Sequence, residues 1–277
     1  MATRNVKSRS RTSKSQVDAP ATGRKRASAV VSRATSAVRG AASRSKKAKT
    51  ANKPFRVFVT ATDTGVGKTE VAAALLSLLS DAGQHPIPFK PYESGVAAGS
   101  EPADARTLLT ASRSERTLDQ VCLHRYTAPL APGVASERGE PDSGHTWRDT
   151  LRALKSMGES ALVVEGAGGL LVPLDARHDV IDLIEATKLP VVLVARAGLG
   201  TLNHTGLSIE ALKARGQKVL AVVLVHGVKG RADASQLDNA RWISARHGVT
   251  VLGPVPYRSN ARARRQAFRR VLAPLLT

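Results

Sequence analysis

From residue 53 onward, short apolar runs rich in β-branched residues take turns with amphipathic stretches, and this alternation restricts the fold more than any other feature of the 277-residue chain. Residues 55–60 (FRVFVT), 87–90, 162–165, 191–195, 219–225 and 249–253 are compact runs of strand length, as expected of strands buried on both faces. Helical patterns over 68–82, 103–111, 146–156, 180–187, 204–214, 235–247 and 261–275 separate them. A sheet covered on both faces needs helices on each side, so the alternation predicts one α/β domain over 53–277, doubly wound around a mainly parallel sheet. Ligands of such sheets gather at the carboxyl ends of the strands. One cysteine, Cys122, excludes an internal disulfide framework and fits a reducing, cytoplasmic setting. The most apolar runs, such as 189–195, fall far short of the ~20 residues a membrane helix needs.

The first 52 residues differ in kind. Residues 1–50 hold 14 of the 42 Lys and Arg but one of the 22 acids, Asp18, so most of the formal net charge of +20 lies there. With no aromatic residue and few large apolar ones, this stretch cannot bury enough surface to offset the entropy of ordering. A disordered basic extension is expected. A solvated appendage is its simplest role. Arg24, Lys25, Arg26, Lys46 and Lys47 also suit nonspecific polyanion contact. The Arg- and Ser-rich composition resembles an organelle transit peptide, and an upstream start codon would produce the same extension.

The first strand end carries the strongest chemical signal. After FRVFVT come Ala61, Thr62, Asp63, Thr64, Gly65, Val66, Gly67, Lys68 and Thr69, then a helix. The phosphate-binding template is G-x-x-x-x-G-K-[ST], and Thr62 stands where its first glycine belongs. The half that carries the chemistry is intact. Thr64, Gly65, Val66 and Gly67 present amides at a helix N-terminus, Lys68 can meet β and γ phosphate oxygens, and the Thr69 hydroxyl can reach Mg2+. An ordinary glycine turn before a helix is the competing reading. Phosphoryl transfer needs further fixed cations, and carboxylates to hold the metal. Other strand ends supply them: Lys90 with Ser94 close behind, and Glu165 ahead of Gly166, Ala167, Gly168 and Gly169. Asp104 opens a helix. Singly, Lys90 reads as a solvated charge and Asp104 as a helix cap; together they complete a P-loop NTPase type of site. The seven histidines have no metal-ligand spacing.

The segments VTATDTGVGKT, FKPYESG, VVEGAGGLLVPL and AGLGTLNHT, in this order over roughly residues 54–277, resemble the dethiobiotin synthetases of biotin biosynthesis. The resemblance implies a homodimer that uses ATP and Mg2+ to close a cyclic urea from 7,8-diaminopelargonate and carbon dioxide. It proceeds through a carbamate and a carbamic-phosphoric anhydride and releases ADP and phosphate. By that resemblance Lys68 and Lys90 are the catalytic cations, and Thr69, Asp104 and Glu165 hold the metal. Thr64 and Ser94 lie near diamine and carbamate, Pro129 belongs to a loop over the substrate, and Gly168 follows the acidic strand end. Leu199, Gly200 and Asn203 belong to a turn that receives the far carboxylate from the partner subunit. His226 stands where the family often has an adenine-reading Asn, with Pro256 and Tyr257 in the same base pocket. Ala131 and Gly133 replace a polar Ser and His often present in the loop over the substrate.

Three other readings compete. Partition ATPases share the fold and bind DNA through basic surfaces, for which the tail is suited, but they carry a second Lys early in the loop where this chain has Thr62, Asp63 and Thr64. Cobyrinate amidases need a further glutaminase domain with a Cys nucleophile. An inactive nucleotide-binding scaffold would have no use for both lysines and the carboxylates.

Overall fold

The computed structural model describes residues 53–140, 144–227 and 234–277. The extension over 1–52, and with it the expected disorder and polyanion contact, lies outside the described residues. The chain runs β1 (Arg56–Ala61), α1 (Lys68–Asp81), β2 (Ile87–Phe89), β3 (Tyr92–Ser94), α2 (Ala103–Ser112), α3 (Leu118–Val121), β4 (His124–Tyr126), α4 (Pro132–Glu137) and α5 (Trp147–Ser156). It continues through β5 (Leu162–Glu165), α6 (Val180–Thr187), β6 (Val191–Arg196), α7 (Thr201–Ala214), β7 (Val219–Val225), α8 (Ala234–His247), β8 (Val251–Val255) and α9 (Ala261–Leu272).

Six strands form one sheet in the order β2-β5-β1-β6-β7-β8, and every pair is parallel. The alternation along β1 divides the core between the two faces. Val57, Val59 and Ala61 pack with Val71, Leu75, Leu76 and Leu79 of α1 and with Phe268 of α9. Phe58, between them, packs on the opposite face with Val164, Ile181 and Ile184. Each fully buried Leu or Val of α1 contributes about 1.5–3 kcal/mol, so the helix that follows the glycine loop is firmly seated. The chain leaves β1 toward β2 on one side and later fills β6, β7 and β8 on the other, so the loop after β1 lies where the winding reverses. That is where a doubly wound sheet opens a crevice.

The two short strands β3 and β4 form a separate parallel pair, unforeseen because three residues carry no readable period. Helix α7 begins at Thr201 rather than 204, started by Gly200 at φ +89°, and α9 stops at Leu272 because Pro274 cannot continue it. No described helix is long and apolar enough to cross a membrane.

Candidate active site

The loop between β1 and α1 turns on two glycines. Gly65 and Gly67 have φ of +70° and +104°, backbone that side chains rarely adopt. Gly67 is the residue before α1, whose first-turn amides are therefore uncapped by any side chain and open to an anion. Lys68 follows, nearly buried, its Nζ donating to the backbone carbonyl of Asp63 at 2.9 Å. Burial draws its pKa down to about 8, with Glu165 opposing and Lys90 adding to the fall.

Beneath it lies a tight ionic cluster. Lys90, just past β2, is buried and donates to Glu165 Oε1 at 3.0 Å and to the Gly166 carbonyl at 3.2 Å. Burial pulls its pKa down, but the carboxylates of Glu165, Asp104 and Glu93 outweigh burial and hold the ammonium above its ordinary range. Glu165 ends β5, pushed up by burial while Lys90 and the Thr69 hydroxyl pull the other way. Thr69 donates to the same Oε1 at 2.9 Å. The second oxygen, Oε2, is buried without a hydrogen-bond partner among the described residues. Asp104 Oδ2 stands 3.6 Å from Lys90 Nζ.

Glu93 is the functional residue that sequence reasoning passed over. Its two oxygens accept from the Asp104 and Ala105 amides, both at 2.9 Å. The N-terminus of α2 is thus capped from β3, and Asp104, expected as a possible cap itself, is free to face Lys90. An acid ten residues before the helix it caps gives no local signal.

Thr64, Gly65, Gly67, Lys68, Thr69, Lys90, Ser94, Asp104, Pro129 and Gly168 all line one cavity of about 540 Å3. Val66 is buried behind the loop, and Glu165 lies under the floor. His226, Pro256 and Tyr257 stand apart from that lining, past the ends of β7 and β8, where the His226 amide bonds to the Val255 carbonyl. Leu199, Gly200 and Asn203 also lie outside it. Leu199 is 92% exposed, and Asn203 borders a second cavity with Leu202, Leu207 and Trp242. Gly133 has a structural reason: a Cβ there would come within 3.0 Å of Pro173 Cβ and 3.1 Å of the Asp175 carbonyl.

Among the described residues no three His, Cys, Asp or Glu gather as a metal cage. Mg2+ does not ask for one, because it keeps several waters and takes one or two carboxylates. The unpartnered Glu165 Oε2, with Thr69 and Asp104 close by, is a donor set that fits this ion.

A parallel sheet, a glycine loop after its first strand, and a helix opening on Lys68 and Thr69 define a P-loop nucleotide-binding protein. A family profile described as an AAA domain matches residues 56–265. The ATP-dependent dethiobiotin synthetase BioD of Anaeromyxobacter dehalogenans (strain 2CP-C) is 44% identical, the match covering 78% of this chain and 96% of that protein. The BioD of Bacillus licheniformis is 37% identical over 72% of this chain and 84% of its own. Among solved structures, the MinC:MinD cell division protein complex of Aquifex aeolicus is similar with a TM-score of 0.45 and 12% identity, over 79% of this chain and 88% of that one. The chain belongs to the ATP-dependent dethiobiotin synthetase family.

Proposed function

We propose that this chain is an ATP-dependent cyclo-ligase that forms dethiobiotin from 7,8-diaminopelargonate and carbon dioxide. The observation that carries the reading is the convergence of Lys68, Lys90, Thr69, Asp104 and Ser94, drawn from separated segments, on one cavity at the strand ends. One amine of the diamine adds to carbon dioxide to give a carbamate. The carbamate oxygen attacks the γ-phosphorus, ADP leaves, and the second amine closes on the activated carbon with release of phosphate. Negative charge builds at each stage, and the fixed, buried cations Lys68 and Lys90 stabilise it. Lys68 serves the transferring phosphoryl group and Lys90 the carbamate. The amides of residues 64–67 cradle the phosphates, while Ser94 and Thr64 offer hydroxyls to the diamine end. Thr69, Asp104 and Glu165 would hold Mg2+, which supplies charge neutralisation on the phosphates when bound.

The active form is a homodimer in this reading. Leu171, Leu199, Leu202, Leu207 and Trp242 are large apolar side chains left exposed on the loops after β5 and β6 and on α7 and α8. A second copy covering them would bring its Leu199, Gly200 and Asn203 turn to the far end of the substrate, where a helix N-terminus suits a carboxylate. His226, Pro256 and Tyr257 are assigned to the base of the nucleotide. The basic extension plays no part in the chemistry.

The test is phosphate release by the purified chain with ATP, Mg2+ and bicarbonate, with and without diaminopelargonate, and identification of the product by mass. Release that depends on the diamine and yields dethiobiotin supports the assignment. Diamine-independent hydrolysis stimulated by DNA would replace it with the partition-ATPase reading.

A further inference from the structure

On α1, residues Glu70, Ala73, Ala74, Ser77 and Asp81 recur at helical spacing and share one face. Ala73, Ala74 and Ser77 at its middle are short, so α2 and α9 flank this face across a trough of about 590 Å3, floored by Ala73 and Ala74. Arginines form its walls: Arg106 and Arg113 from the α2 side, and Arg264, Arg265 and Arg269 from α9. Arg264 forms an ion pair with Glu70 at 2.9 Å and Arg269 donates to Asp81 at 2.7 Å, and these two ion pairs tie α9 to α1. Clamping the helix needs no more than that. Yet Arg113 also turns to Asp81 at 2.7 Å, Arg106 pairs with Glu101, and Arg265 has no carboxylate partner among the described residues. Five guanidinium groups share three carboxylates, which leaves two positive charges on one open trough.

We propose that this trough is an anion-binding site, separate from the catalytic cavity, for a small phosphorylated ligand. A phosphoryl monoester is close to a dianion at neutral pH, which matches the uncompensated charge. Guanidinium forks bind its oxygens in pairs, so the arginines carry the recognition; the lining hydroxyls of Thr107 and Thr110 already donate to the carbonyls of Ala103 and Arg106. The volume lies within the roughly 300–1,000 Å3 usual for small-molecule sites, which favours a metabolite-sized ligand over the backbone of a duplex. Glu70 borders both this trough and the catalytic cavity. It competes with the ligand for Arg264, so its charge sets the affinity.

Isothermal titration of inorganic pyrophosphate into the full-length chain tests the site, with Lys68→Ala as the common background so that the glycine loop is weakened and contributes equally to every comparison. Adding R113Q and R265Q should weaken binding about ten-fold or more, because two charge-assisted contacts are lost. Adding R262Q and R270Q instead removes two arginines of the same helix that lie outside the trough, and should change affinity about two-fold at most. Adding Glu70→Gln should tighten binding several-fold. Equal losses from the two arginine pairs would reduce the effect to nonspecific attraction by a basic chain and overturn the proposal. So would an unchanged isotherm in the R113Q and R265Q protein. Because Glu70→Gln is expected to strengthen binding, a damaged fold cannot imitate its effect.

Discussion

Glu93→Ala removes both oxygens that accept from the Asp104 and Ala105 amides. Each amide left buried without a partner costs about 1–3 kcal/mol, and losing a carboxylate at a helix N-terminus costs about 0.3–1 kcal/mol more. Against this, Glu93 is a buried carboxyl whose pKa is raised by that burial, so its removal returns part of a desolvation cost. The net expectation is a loss of about 2–4 kcal/mol. Glu93→Gln keeps one carboxamide oxygen for one amide and should lose about half as much. Urea unfolding reads both as shifted midpoints at constant slope. Activity should fall by a second route, because Asp104 loses the anchor that keeps it 3.6 Å from Lys90. The Mg2+ concentration for half-maximal turnover is then expected to rise in the Ala protein and partly recover in the Gln protein. An Ala variant within about 0.5 kcal/mol of the parent, the range of an ordinary surface change, would refute the reasoning, as would a Gln variant equally damaged.

The lowered pKa of Lys68, about 8, makes its ammonium a minority form above that pH; nucleotide affinity should drop about ten-fold from pH 7 to pH 9, with proton uptake on binding near pH 8. Titration calorimetry in buffers of different ionisation enthalpy reads this, and a flat profile would contradict it. Lys90→Ala leaves Glu165 buried without its cation, so thermal unfolding should shift by the equivalent of about 3–5 kcal/mol and product formation should fall further than nucleotide binding; loss of nucleotide affinity alone would exclude the assigned role. Gly166→Ala places a Cβ 3.0 Å from Phe58 and 3.1 Å from Val180, an overpacking expected to cost about 1–3 kcal/mol in denaturant unfolding. Leu207→Asp puts a charge on the exposed apolar face of α7 and should yield monomers in analytical ultracentrifugation; an unchanged dimer would place the interface elsewhere.

The sheet was legible because its central strands β5, β1, β6 and β7 are largely buried on both faces and so are written as continuous apolar runs. Boundaries of β5 and β7 fall where the pattern puts them. β8 begins two residues later than its apolar run, and its pairing with β7 shifts register between Val223 and Val225, a slip that leaves no mark on composition. Lys68, Thr69, Lys90 and Glu165 were legible because each closes a strand or opens a helix at the crevice. Glu93 was not, since its partners belong to a helix it reaches through space. The apolar face of α7 was hidden for a different reason. The helical run holding Leu202 and Leu207 does not say which of its leucines the fold will cover, and both are left exposed.

The buried cations of the site are satisfied from within, and the manner differs between them. Lys68 rests on a neutral carbonyl of its own loop, so a phosphate oxygen offers it a stronger, charge-assisted bond and restores the charge that burial depresses. It is a group that changes partner when ligand arrives. Lys90 is locked to Glu165 and the Gly166 carbonyl before anything binds. Glu165 can accept a metal through Oε2 without giving up that pair. The lower cluster is therefore preorganised, whereas the loop above it exchanges bonds, and substitutions should divide along the same line. Changes at Lys68 should act on nucleotide affinity and its pH dependence. Changes at Lys90 or Glu165 should act on stability and on the chemical step together, because one ion pair carries both.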